Sequence, residues 1–119
     1  TAEWCVYCGQ EANELATDMQ NYIDNSNPVA ILGLMGETAS GSADVTQATL
    51  QGWVDDHGWA GLIPCLDDGG WGTQYPYWIG AGVPFNMVVD GTRTIRAKWH
   101  GYGSGLTDYV VQLLLAESK

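Results

Sequence analysis

One run of residues limits the possible folds more than any other. Val29 to Met35 reads "VAILGLM", almost unbroken in apolar character. A strand with one wet face alternates apolar and polar residues. A strand covered on both faces does not, and reads as a continuous hydrophobic stretch. The chain must therefore place a layer on each side of this strand, and the flanking segments read as helices. Before it, Leu15, Met19, Tyr22 and Ile23 recur at helical spacing, in a segment from about Cys5 to about Asn25 that "DNSNP" closes. After the loop "GETASGSA", Asp44 with Gln47 three residues on forms a capping box. It opens a helix with Leu50, Trp53, Val54 and His57 on one face, and Gly58 is placed to end it.

Further on, "LIPCL" (62–66) reads as a short strand, and an aromatic-rich connection (67–82) has room for one helical turn. Phe85 to Val89, the Asp90-Gly91 turn and the alternating segment Thr94 to His100 predict a hairpin. A last helix is expected over Leu106–Ser118, with Val110, Leu113, Leu114 and Glu117 on successive turns. The order is helix, strand, helix, strand, linker, hairpin, helix. That predicts one α/β domain over 1–119, a three-layer sandwich whose mixed central sheet carries an antiparallel hairpin. A chain of 119 residues, 45% hydrophobic, can bury a core of this kind.

Charge narrows the function classes. Fourteen acids face four bases, Arg93, Arg96, Lys98 and Lys119, so residues 1–92 carry only negative formal charge. Such a field repels phosphate backbones and argues against a nucleic-acid partner. It also disfavours an anionic membrane surface. The ordinary reading is a solubilising surface, with a cationic partner as the alternative. No apolar run approaches the ~20 residues that cross a bilayer, so no spanning segment is expected in this chain.

The remaining signal is "EWCVYCGQE", Glu3 to Glu11. Three chemistries compete for its cysteines. An inert disulfide closes too small a loop to restrict the unfolded chain much. A metal site needs four ligands, which Cys5, Cys8, Cys65 and either His57 or His100 could supply, but there is no second close-spaced pair. A redox pair has a physical cause: unpaired N–H groups and the dipole at a helix start favour an anion, and the thiolate is the nucleophile. On that reading Cys5 is the exposed attacking sulfur, Cys8 resolves the mixed disulfide from one turn deeper, and Trp4 walls the site.

Taken together, "EWCVYC", "VAILGL", "DVTQATLQGWVDDHG", "LIPCLDD" and "GVPFNMVVDGTRTI" resemble the thioredoxin fold over essentially the whole chain. They are most similar to the TlpA/ResA-like branch of exported or membrane-tethered thiol-disulfide oxidoreductases. The resemblance implies that Cys5 and Cys8 are the active pair and that Pro84 is the cis-proline facing them. A cis bond there leaves the backbone at Val83 to pair with an extended substrate. Trp4, Tyr7, Val83 and Pro84 are the expected substrate contacts. Glu11 matches a carboxylate of that branch, placed to raise a thiol's pKa or relay its proton; the plain alternative is an acid in the first helical turns. The implied partners are protein thiols or disulfides and an upstream redox partner, with no metal or organic cofactor, in a bacterial compartment outside the cytoplasm, where a tether ahead of this segment is compatible with the family.

The chain also departs from the branch. Asn13 stands where proline is frequent, Phe85 and Asn86 follow the cis-proline in place of threonine, and Val6-Tyr7 lies between the cysteines, which leaves the direction of electron flow open. No family role attaches to Cys65, whose default is a buried, inert thiol. The family's central strand lies directly before "WC" and between the strands at Val29 and Phe85, whereas only Thr1-Ala2-Glu3 stand there. The expectation is that this strand is missing, to be supplied by an N-terminal extension or another segment. Two further function classes stay open. A thiol peroxidase of this fold carries Thr or Ser three before its cysteine, where this chain has Ala2. A binding module without turnover would use the aromatics of Trp71–Trp78, including Tyr75 and Tyr77.

Overall fold

A computed structural model describes residues 1–78 and 82–118. Its helices are α1 (Val6–Asp24), α2 (Gln47–His57) and α3 (Leu106–Glu117), and its strands are β1 (Gly33–Met35), β2 (Cys65–Asp67), β3 (Phe85–Val89) and β4 (Ile95–His100). A single 3₁₀ turn, Tyr75–Tyr77, interrupts the aromatic connection, whose last residues, 79–81, lie outside the described part. The fold is a mixed α/β one, and among the described residues no helix is long and apolar enough to cross a membrane.

Local chemistry sets the boundaries. Cys5 caps α1, because its extended backbone leaves Sγ free to accept the N–H of Cys8 at 3.1 Å. α2 is capped by Thr46, not by Asp44: the Thr46 hydroxyl accepts from Thr49 N at 3.2 Å, while Asp44 lies two residues upstream with its own N–H donated to Ser42. Gly58 ends α2 in the left-handed conformation (φ 69°), a conformation that costs glycine little. The expected strand at 62–66 starts later, since Leu62 and Ile63 are committed to a turn on the Trp59 carbonyl. The expected hairpin forms, but its turn runs on to Arg93, whose N–H is donated to the Asp90 carbonyl, and β4 starts at Ile95 where the sequence suggested Thr94. Asp90 Oδ1 accepts from Thr92 N, Thr92 Oγ1 and Thr94 N.

The strands form two separate pairs where the sequence predicted one mixed sheet. β1 and β2 are parallel, with Gly33 opposite Cys65 and Met35 opposite Asp67. β3 and β4 are antiparallel, from Phe85 opposite His100 to Val89 opposite Ile95, with a bulge at Val88/Val89. The pairs are not joined, and β1 does not pair with β3. A cleft of about 720 Å³ lies between them, lined by Leu15 of α1, Ile31 and Leu32 ahead of β1, Val88 of β3, and Val111 and Leu115 of α3. This explains why β1 is only three residues long although the apolar run begins at Val29: residues 29–32 border the cleft and, among the described residues, no strand pairs with them. Thr1 marks how one would sit. Its N donates to the Leu34 carbonyl at 2.9 Å and its carbonyl accepts from Gly36 N at 3.0 Å, the bonding of a parallel neighbour to β1.

The core is one cluster that joins α1, β1, α2 and Val111 of α3, and part of it also borders the cleft. Tyr22, Met35, Trp53, Trp59 and Ile63 are its largest members. Trp59 locks α2's exit to α1 by donating Nε1 to the Ala12 carbonyl at 2.8 Å, and its ring lies so close to Gly33 that any Cβ there would collide with it. Tyr22 reaches across to α3, donating its hydroxyl to Asp108 at 2.7 Å.

The cleft has the lining of a slot for a strand buried on both faces. Fusing a six-residue Val/Ile-rich segment directly ahead of Thr1 is expected to raise Tm by on the order of 10 °C. Thermal unfolding followed by circular dichroism checks this, and an unchanged Tm would show that the cleft does not take a strand.

Candidate functional site

Both sulfurs stand at the N-terminus of α1. Cys5 and Cys8 form a disulfide, with Cα atoms 5.1 Å apart. The loop that follows the aromatic connection faces them: the Val83–Pro84 peptide bond is cis, and the Val83 carbonyl oxygen lies 3.8 Å from Cys5 Sγ. Cys5 is not the exposed sulfur that the sequence suggested. It is 6% exposed against 2% for Cys8, since the Val83 loop lies over it and it belongs to the buried core cluster. What is exposed is the rim: Trp4, Val6 and Tyr7 project to solvent around the covered disulfide.

Glu11 lies one turn below Cys8 on the same face of α1, buried, and both border the cleft. Burial pushes its carboxyl up to about 7, opposed by the hydrogen bond it accepts from Asn86 Nδ2 at 2.9 Å. A carboxyl group in that range gains and loses its proton near neutrality, within a helical turn of a sulfur. Cys65 is elsewhere, at the start of β2 opposite Gly33, partly buried, its thiol pushed up to about 11 by burial, which keeps it protonated and poorly nucleophilic. His57 and His100 do not join the cysteines. His57 Nδ1 pairs with Asn13 Oδ1 at 2.7 Å, and His100 Nδ1 pairs with the Gly82 carbonyl at 2.6 Å, holding the segment ahead of cis-Pro84. Among the described residues no three His, Cys, Asp or Glu side chains are grouped as a metal site requires.

Two residues at the site were not singled out as functional from sequence. Glu37, in the loop after β1, accepts the indole N–H of Trp4 at 2.7 Å and that of Trp71 at 3.0 Å. It thereby pins the aromatic beside Cys5 to the aromatic connection, where Trp71 and Tyr75 pack on Trp78 and Trp78 packs on Phe85. Nothing in "GETASGSA" signals this. Asn86 did have a signal: it is the one polar side chain in the strand "FNMVV". Asp68 anchors the same connection. Burial acts to raise its pKa, but N–H groups of Thr73 and Gln74 outweigh burial and hold the carboxylate below its ordinary range.

Comparison with models of known families, with curated proteins and with solved structures finds no match.

Glu11 carries a pH signature. Its folded-state pKa is raised, so between about 4.5 and about 7 the folded protein holds a proton that the unfolded chain has released. Its contribution is therefore a stability loss that grows as pH rises through that window. Glu11→Gln is expected to raise stability at pH 8 by up to about 3 kcal/mol and to change nothing below pH 4. Urea unfolding at the two pH values measures both, and an equal effect at each would contradict the assignment.

Proposed function

We propose that the chain is a thiol-disulfide oxidoreductase of the thioredoxin fold, of the TlpA/ResA-like kind. The observation that carries this reading is the disulfide itself: its first cysteine caps a helix, and a cis-proline loop faces it. The N–H of Cys8 that points at Cys5 Sγ is the group that stabilises a thiolate there once the pair is reduced.

The Cys5 thiolate attacks one sulfur of a protein disulfide. A Cys5–substrate bond forms, the substrate S–S bond breaks, and the departing sulfur leaves with the electron pair and takes a proton. Cys8 then gives its proton to Glu11 and attacks Cys5 Sγ. The intramolecular disulfide forms and the second substrate thiol is released. Two electrons pass from the pair to the substrate, and the reverse sequence oxidises a dithiol. Reaching the covered Cys5 requires substrate to engage the rim, which makes Trp4 and Tyr7, with the Val83–Pro84 backbone, its contacts. The partners are proteins presenting disulfides or dithiols, together with a redox partner that resets the pair. The proposed compartment is outside the bacterial cytoplasm, where disulfides persist.

Substitutions separate this from a binding module. Cys5→Ser is expected to abolish turnover of a neutral disulfide such as bis(2-hydroxyethyl) disulfide, by at least about 10³-fold. Cys8→Ser should instead accumulate a mixed disulfide through Cys5, visible as an adduct by intact mass. Unchanged turnover in the Cys5 variant would overturn the reading.

A further inference from the structure

The two polar groups that meet in the wall of the cleft come from different parts of the fold. Asn86 is the second residue of β3, two positions after cis-Pro84, and Glu11 belongs to α1, three positions after Cys8. Their contact, Asn86 Nδ2 to Glu11 Oε2 at 2.9 Å, spans 75 residues of sequence. Among the described residues it is the only side-chain hydrogen bond made to that carboxyl group. A carboxamide in an otherwise apolar strand is costly unless bonded, and a buried carboxylate more so. Each is the other's remedy.

We propose that Asn86 is a positioning residue for the oxidoreductase reaction: it aims the Glu11 carboxyl and tunes it to take the Cys8 proton. The inference rests on the functional reading above. In the resolving step the Cys8 Sγ–H bond breaks and its proton passes to a Glu11 oxygen. Cys8 Sγ bonds to Cys5 Sγ, and the Cys5–substrate S–S bond breaks, leaving the electron pair on the substrate sulfur, which is protonated by water. Glu11 must enter that step as a carboxylate. Burial opposes this, and the donated N–H favours it. The charged and titratable groups that also face Glu11 are few. The Thr1 α-amine favours the carboxylate, while Glu14 on the next turn of α1 disfavours it. Tyr102 also senses Glu11, but its hydroxyl is donated to Glu14. None of these is fixed on the carboxyl group as Asn86 is.

The test uses the reduced full chain with Asn86→Leu, which keeps the side chain's size and removes the donor. Asn86→Ala is the second variant should leucine disturb β3, and far-ultraviolet circular dichroism checks the fold of both. Two pH profiles are read: the ¹³C shift of the Glu11 carboxyl carbon, and the rate of turnover of bis(2-hydroxyethyl) disulfide. Loss of the donor is expected to move both midpoints upward by about one pH unit or more, so that turnover at pH 7 falls by about fivefold or more. In a Glu11→Gln background the same substitutions should leave the rate profile where it was, a result that a merely structural role for Asn86 does not predict. Midpoints that stay in place in a folded Asn86 variant overturn this proposal alone. No reversible turnover by the unsubstituted chain at any pH overturns the functional reading and this proposal with it.

Discussion

The contact on which the site depends is the N–H of Cys8 directed at Cys5 Sγ, 3.1 Å away. It is a helix cap first. A helix start leaves N–H groups without partners, and here a sulfur takes one of them in place of the usual hydroxyl or carboxylate. Under the proposed function the same bond also serves chemistry, since a group that suits a capping acceptor suits a thiolate better. Folding α1 and preparing Cys5 would then be one event. The second cysteine follows from geometry alone: three residues along a helix returns to the same face, close enough for a disulfide.

The surroundings of this cap are held by polar contacts, most of them between residues far apart in sequence. Glu37 ties the indole of Trp4 to that of Trp71, Asp68 fastens the following turn, and His100 grips the carbonyl of Gly82 ahead of cis-Pro84. Asn86 joins that same strand to Glu11. One face of the site is the local Cys5–Cys8 turn at the start of α1, and the other comes from the segment around Pro84, far away in sequence. The cleft between β1 and β3 runs beneath them and is bordered by Cys8, Glu11 and Asn86. What fills or hydrates that space sets the dielectric around Glu11 and with it the burial that raises its pKa.

Much of the fold was legible in the sequence, for reasons specific to each element. α1 showed its period in Leu15, Met19 and Tyr22, all of which are buried. The β3–β4 hairpin was announced by Asp90-Gly91, although the residue that takes the left-handed conformation in its turn is Arg93 (φ 67°) and not Gly91. The C′ glycine of α2 was equally plain. Asp44 misled because a carboxylate and a glutamine three apart satisfy the capping pattern, while Thr46, two residues on, had an equally good oxygen. The Val29–Met35 run was apolar enough for a long strand, yet a strand is defined by its neighbours, and only Gly33–Met35 have one. At the site, Cys5, Cys8, Glu11 and Pro84 could be read from spacing and resemblance. The covering of Cys5 could not, since it depends on where the Val83 loop comes to rest. Glu37 was invisible for the same reason: its partners lie 33 and 34 residues away.

The most direct measurement is the redox equilibrium of Cys5 and Cys8 in glutathione buffers, read by thiol alkylation and mass. The account predicts a single reversible two-electron couple confined to this pair, with Cys65 remaining a free thiol throughout. A potential near −270 mV would make the protein a reductant of other thiol proteins, and one near −120 mV a donor of disulfides, about 5 orders of magnitude apart in equilibrium constant. A pair that neither opens nor closes anywhere in that range while the protein stays folded would contradict the account, leaving the disulfide a structural staple.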